Sequence, residues 1–182
     1  DTAAWDLVAR RAGLRVADIL SDGAAPDDVA AYASGIPCSR GAEAVSTATP
    51  HRAFKVKVGY DDTRDFVHLG ETAAALPTGA QLMADANQAW DAPAATRFLD
   101  AAAGIGLLWM EEPIPADSPP DDWALLAGGT IPLAAGENIA GLSDFAAALK
   151  AGHLGFLQPD LAKWGGPTGF CRVARLARGT RT

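Results

Sequence analysis

The sequence predicts an α/β protein, a parallel β/α barrel of which about six strands of the usual eight can be traced. Three observations predict it. Short apolar runs at Phe54–Val58, Gln81–Asp85, Gly106–Glu111, Ile131–Glu137 and Gly155–Asp160 each end at or beside a charged residue. Those charges, Lys55, Asp85, Glu111, Glu137 and Asp160, recur at steps of 30, 26, 26 and 23 residues, which suits one strand, one helix and two short loops. The runs are also near-continuously apolar rather than alternating, as when helices cover one face of a parallel sheet and a barrel core the other.

Each element follows from local chemistry. Residues 2–21 read as a helix with a short follow-on, because Ala3, Ala4, Trp5, Leu7, Val8 and Ala12 make an apolar stripe and Gly13 suits a helix stop. Ser21 to Asp28 is rich in turn formers and marks a boundary. Val29–Gly35 reads as the first strand, and 40–49 as a weak helix ended by Pro50. Strand two is 53–58 and its helix 61–76, closed by Pro77-Thr78-Gly79. Strand three is 81–85, with the next helix opening near Pro93, a residue suited to a first turn. Strand four is 106–111, stopped by Pro113 and Pro115. A short helix at 121–127 precedes strand five at 131–136. The helix at 142–151 takes Ser143 as its N-cap. Strand six is 154–158, and a last helix starts near 168.

Composition narrows the function. The chain has 182 residues, 49% hydrophobic, with net charge −7, an acidic balance that argues against general binding to nucleic acid or anionic membranes. No apolar stretch approaches the roughly 18 residues that span a bilayer, and no signal peptide opens the chain. Cys38 and Cys171 lie far apart without metal-site spacing, which reads as reduced thiols in the cytoplasm.

Residues two apart on a strand share a face. Lys55 therefore points with Lys57, and Asp85 with Asn87, whereas Glu111 and Glu112 point apart so that only one of them joins a site directly. Asp85, Glu111 and Glu137 end three successive strands, and three neighbouring carboxylates repel unless a hard divalent cation sits among them. Oxygen-only donors favour Mg²⁺ over Zn²⁺. A lysine is a base only when neutral; an adjacent cation and a metal both disfavour its charged form and lower its pKa.

Lys55-Val56-Lys57, Asp85-Ala86-Asn87, Glu111-Glu112-Pro113, Gly136-Glu137-Asn138 and Gln158-Pro159-Asp160, followed by Lys163-Trp164-Gly165-Gly166, together resemble the enolase superfamily and within it the mandelate racemase subgroup. The resemblance covers about residues 1–178, since the opening Asp1–Leu7 is similar to the end of that family's N-terminal capping domain. It implies a (β/α)7β barrel, with residues 1–27 a capping-domain remnant and 28–182 an incomplete barrel. It implies that Asp85, Glu111 and Glu137 bind Mg²⁺, that Lys57 takes the proton α to a substrate carboxylate, and that Lys55 helps hold the resulting charge. Asp160 matches an aspartate that orients a histidine on the next strand, about 25 residues on; the chain ends 22 residues after Asp160. That aspartate favours acid-sugar dehydratases and mandelate-type racemases over branches with lysine there. Asn87, Glu112, Asn138 and Lys163 are placed as supporting or substrate-facing residues. Asn87 serves equally well as a strand terminator, and Lys163 as a structural cation.

The expected function is Mg²⁺-dependent formation of an ene-diolate from a small 2-hydroxy or sugar acid, with dehydration as the outcome. Racemisation of a mandelate-like acid is the alternative, as is a truncated fragment without activity of its own. The resemblance further implies a homo-oligomer.

Overall fold

The computed structural model describes residues 1–24, 28–47 and 50–179. The chain forms two compact units, Ala31–Gly136 with Ala151–Gln158, and Asp1–Ala30 with Glu137–Lys150 and Pro159–Thr182.

The larger unit holds a six-stranded, all-parallel sheet in sequential order. Its strands are β1 (Ala33–Pro37), β2 (Ala53–Lys57), β3 (Gln81–Asp85), β4 (Met110–Glu111), β5 (Leu133–Ala135) and β6 (Phe156–Leu157). Between them run a 3-10 turn (Cys38–Arg40), α3 (Gly41–Ser46), α4 (Asp62–Ala75), α5 (Ala92–Ala102) and α6 (Pro120–Ala127). Asp61 caps α4 by accepting the Arg64 N–H at 3.2 Å, and Asp91 caps α5 by accepting that of Ala94 at 2.8 Å, with Pro93 in the first turn as expected.

Register divides the sheet into two faces. Lys57 pairs with Asp85, Asp85 with Glu111, Glu111 with Ala134, and Ala134 with Phe156. Paired residues share a face, so charge gathers at the C-terminal end of one side. Beneath it lies an apolar floor of Met83, Trp109 and Ala134, with Ala53 and Phe156 against them. Trp109 stacks on Phe156 at 4.6 Å and meets Tyr32 edge-on at 5.7 Å. Phe54, Val56, Leu82, Ala84, Met110 and Leu133 face the other way and join Val45, Leu69, Phe98, Leu99, Trp123 and Leu126 of the helices in the main core. Sequence reasoning expected this two-sided burial.

The first strand differs: it was expected at 29–35 and runs from Ala33 to Pro37. Gly35, at φ 73°, breaks the pairing with β2 between Ala33 and Ile36 and moves the regular part onward. The last three strands are shorter than expected. Pro132 carries no N–H and only accepts, from Met110 at 2.9 Å, so β5 begins after it. Bonds outside the nominal strands extend the pairing, including Leu108 N–H to Leu82 O at 2.8 Å and Glu112 N–H to Ala134 O at 2.9 Å.

The smaller unit contains α1 (Thr2–Ala12), α2 (Val16–Leu20), most of α7 (Leu142–Ala151) and α8 (Gly166–Gly179). Gly13, at φ 66°, closes α1 by donating to Ala9 and Arg10 carbonyls. Ser143 is not the cap of α7; the helix already begins at Leu142, with the Gly141 carbonyl accepting from Asp144 and Phe145. Trp5 Nε1 donates to Thr168 Oγ1 at 2.9 Å, and Phe145 packs on Trp164 at 5.7 Å. The boundary expected at residue 27 falls at 25–27, outside the described residues. No described helix is long and apolar enough to cross a membrane.

Candidate active site

The C-terminal ends of β2, β3 and β4 bring Lys55, Lys57, Asp85, Asn87 and Glu111 together. Lys55 Nζ donates to both Glu111 carboxylate oxygens at 2.7 Å and lies 3.2 Å from Asp85 Oδ2. Lys57 Nζ donates to Asp85 Oδ2 and Asn87 Oδ1, both at 2.6 Å. The Asn87 N–H closes back on Asp85 Oδ1 at 3.0 Å. Strand alternation thus places both amines and both carboxylates as anticipated.

The two lysines differ in setting. The Lys55 side chain is 8% exposed and its ammonium sits 5.5 Å from the Tyr32 ring centroid; the Lys57 side chain is 27% exposed. Burial pushes the Lys55 pKa down. The hydrogen bond to Glu111 and the charges of Glu111 and Asp85 outweigh it, so the net direction is upward. Two buried anions facing the ammonium directly are the cause. Burial likewise pushes Asp85 up, and is overcome by Lys57, Lys55 and the Asn87 N–H, which leave it below the usual carboxylate value.

Backbone strain surrounds these residues. Asn87, Gln88 and Glu112 have φ of 46°, 64° and 40°, uncommon for residues with side chains. Their two loops are tied by Gln88 N–H to Glu112 O at 2.7 Å and by Ala116 N–H to Gln88 Oε1 at 3.0 Å. Glu112 is wholly buried.

In the smaller unit, Lys163 Nζ donates to Asn138 Oδ1 at 3.0 Å and lies 3.5 Å from Glu137 Oε1. Asn138 Nδ2 lies 3.4 Å from that same oxygen. Asp160 Oδ1 accepts the Ala162 N–H at 2.7 Å and lies 3.4 Å from the Lys163 N–H, which shapes the turn before α8. Each carboxylate expected to bind metal is thus ion-paired with a lysine. Among the described residues no set of three His, Cys, Asp or Glu side chains is grouped to hold a metal ion. Asp85 and Glu111 fit a hard cation nonetheless: they are adjacent, buried and oxygen-only donors, and one ammonium already bridges them.

Sequence reasoning missed Gln158, whose Nε2 donates to Glu111 Oε2 at 2.7 Å, and the Trp109 indole, 3.4 Å from the same oxygen. Both share Glu111's face. Trp109 was readable from period two on its own strand; Gln158 needed the register across β5.

The family described as enolase C-terminal domain-like matches residues 39–181. A solved mandelate racemase/muconate lactonizing enzyme from Bordetella bronchiseptica is 44% identical with TM-score 0.89, covering 97% of this chain and 49% of that one. The curated D-galactarolactone cycloisomerase of Agrobacterium fabrum is 31% identical, across 97% of this chain and 49% of its own length. L-talarate dehydratase from Polaromonas, solved with Mg and L-glucarate, is 29% identical with TM-score 0.78, across 98% of this chain and 52% of its own. The chain spans about half the length of the curated relatives it matches.

Proposed function

Because this chain belongs to the enolase superfamily, in the mandelate racemase and muconate lactonizing enzyme family, we propose that it supplies the barrel chemistry of a Mg²⁺-dependent acid-sugar dehydratase. One observation carries the reading: two amines and two carboxylates meet on one face at the C-terminal ends of adjacent parallel strands, the rim where β/α barrels place chemistry.

Asp85 and Glu111 would hold the cation from the larger unit. Glu137 is assigned as the third ligand on its Gly136-Glu137-Asn138 motif alone. Bound Mg²⁺ supplies Lewis-acid stabilisation of a substrate carboxylate as it becomes an ene-diolate. Lys57, the more exposed amine, takes the α proton onto Nζ in its neutral form. Lys55, fixed by Glu111 and kept cationic by it, stabilises charge developing on the substrate carboxylate oxygens. Departure of the β-hydroxyl with a proton, as water, then leaves an enol that becomes a 2-keto-3-deoxy acid.

Asp160 is assigned to orient a histidine, on its motif. Asn87 supports Lys57, Asn138 and Lys163 support Glu137, and Glu112 supports the strained rim. We further assign residues 1–27 to the end of a capping domain and 28–182 to the barrel, in a cytoplasmic homo-oligomer acting on a small 2-hydroxy or sugar acid. Two free cysteines support the reducing compartment.

The test is Lys57→Ala in the enzyme, offered a panel of sugar acids in deuterated water. The variant loses turnover and α-deuterium exchange while still binding Mg²⁺. Exchange at the wild-type rate removes Lys57 from the role of base.

A further inference from the structure

Glu111 is held from two directions. Lys55 reaches it from β2, and Gln158 reaches it from just beyond β6, across β5. Several features of the fold serve that second contact. Gln158 is fixed to the sheet by its own N–H, which donates to Ala135 O at 3.0 Å. Ala134, the residue between them on the shared face, ends at a methyl group and leaves room for two longer side chains to meet above it. Gly136 has φ 151°, and a Cβ there would stand 2.6 Å from the Gln158 backbone N and C. No other residue fits at 136 unless Gln158 moves.

The amide orientation is dictated by charge. Nε2 donates to Glu111, while Oε1 is buried with no hydrogen-bond partner among the described residues. Turning the amide over would set a carbonyl oxygen against an ionised carboxylate. The side chain keeps its donor on Glu111 although its acceptor stays unsatisfied.

We propose that Gln158 is a positioning residue that fixes the Glu111 carboxylate for cation binding. A bound cation competes with Lys55 for the Glu111 oxygens, because both are positive. A neutral amide donor does not compete, so Gln158 keeps hold of the carboxylate through that exchange. The inference rests on the metal reading of Glu111 given above.

The test is calorimetric titration of the protein with Mg²⁺ alone, beside the melting temperature of the metal-free protein. Gln158→Met keeps length and volume but removes the donor. It weakens Mg²⁺ binding about 10–100-fold, the usual effect of losing a ligand's supporting hydrogen bond, while the metal-free melting temperature stays near wild type. Gln158→Asn keeps an amide one methylene too short and gives the same loss, which serves if the Met variant does not fold. Wild-type affinity in both Gln158 variants, when Glu111→Gln abolishes binding, overturns the role of Gln158 and leaves the metal site standing. If wild type and Glu111→Gln both ignore Mg²⁺, the metal reading falls and this inference falls with it.

Discussion

Lys55→Met tests whether the site is held together as a buried ionic network. The substitution keeps an unbranched side chain on the apolar floor and removes the ammonium bridging Glu111 and Asp85. Removing one member of a buried ion pair costs about 3–5 kcal/mol, since the remaining charge is left buried and uncompensated. Here both carboxylates retain partners: Asp85 keeps Lys57 at 2.6 Å, and Glu111 keeps Gln158 at 2.7 Å. The low end, about 3 kcal/mol, is therefore expected. With a urea m-value of about 2 kcal/mol/M, that lowers the midpoint by about 1.5 M. Trp109, beside the network, reports the transition by fluorescence. Lys57→Met is the control: its side chain is 27% exposed, and partly hydrated pairs contribute about 1 kcal/mol or less. At one fixed concentration, about 100 times the wild-type Kd, Mg²⁺ adds about 2.7 kcal/mol to wild type. It should add more to Lys55→Met, whose affinity is higher because the competing ammonium has gone. A loss below 1 kcal/mol at Lys55, or one no larger than at Lys57, would refute the reasoning.

Three further outcomes follow from Asp65 and Cys38, which meet in the core. Asp65 Oδ2 accepts the N–H groups of Gly59, Tyr60 and Asp61 at 2.8, 2.9 and 3.2 Å, pinning the loop that follows Lys57. Three charge-assisted bonds sharing one oxygen are less than additive, so Asp65→Ala should cost about 3 kcal/mol and lower the melting temperature by about 6–12 °C. Burial first, then the charges of Asp65 and Glu71, push the Cys38 thiol from 9.0 up to about 12. At pH 8 iodoacetamide should spare Cys38 in the folded protein and label it in urea. Above about pH 9 the unfolded chain releases this proton while the folded one keeps it. Stability should therefore fall between pH 9 and about 12 more steeply in wild type than in Cys38→Ala, as followed by urea titrations.

The sequence revealed most where one rule acted alone. β3 was read to the residue and β2 to within one, because continuous apolar runs between clear turns leave few alternatives. Lys55, Lys57, Asp85 and Asn87 follow from strand alternation, which needs no tertiary knowledge. Strands β4, β5 and β6 were overread, since the apolar runs extend beyond the residues that pair regularly. β1 was misplaced because a bulge at Gly35 leaves no mark on the apolar pattern. Gln158 was invisible for another reason: its partner lies 47 residues away and two strands over. Both lysines lie directly on the carboxylates, where hydrogen bonding and charge attraction outweigh the desolvation of the partners.

One tie in the smaller unit bears on the order of folding. Trp5 bonds to Thr168, 163 residues away, and the Asp1 carboxylate accepts the Thr168 N–H at 3.1 Å. Neighbouring strands such as β2 and β3 meet over only 28 residues, as Lys57 pairs with Asp85. The longer closure costs about 1.6 kcal/mol more in chain entropy, a modest thermodynamic charge. On the ribosome its weight is greater. The sheet can add strands one after another as they emerge, whereas the first helix has no Thr168 to dock against until all six strands have been made.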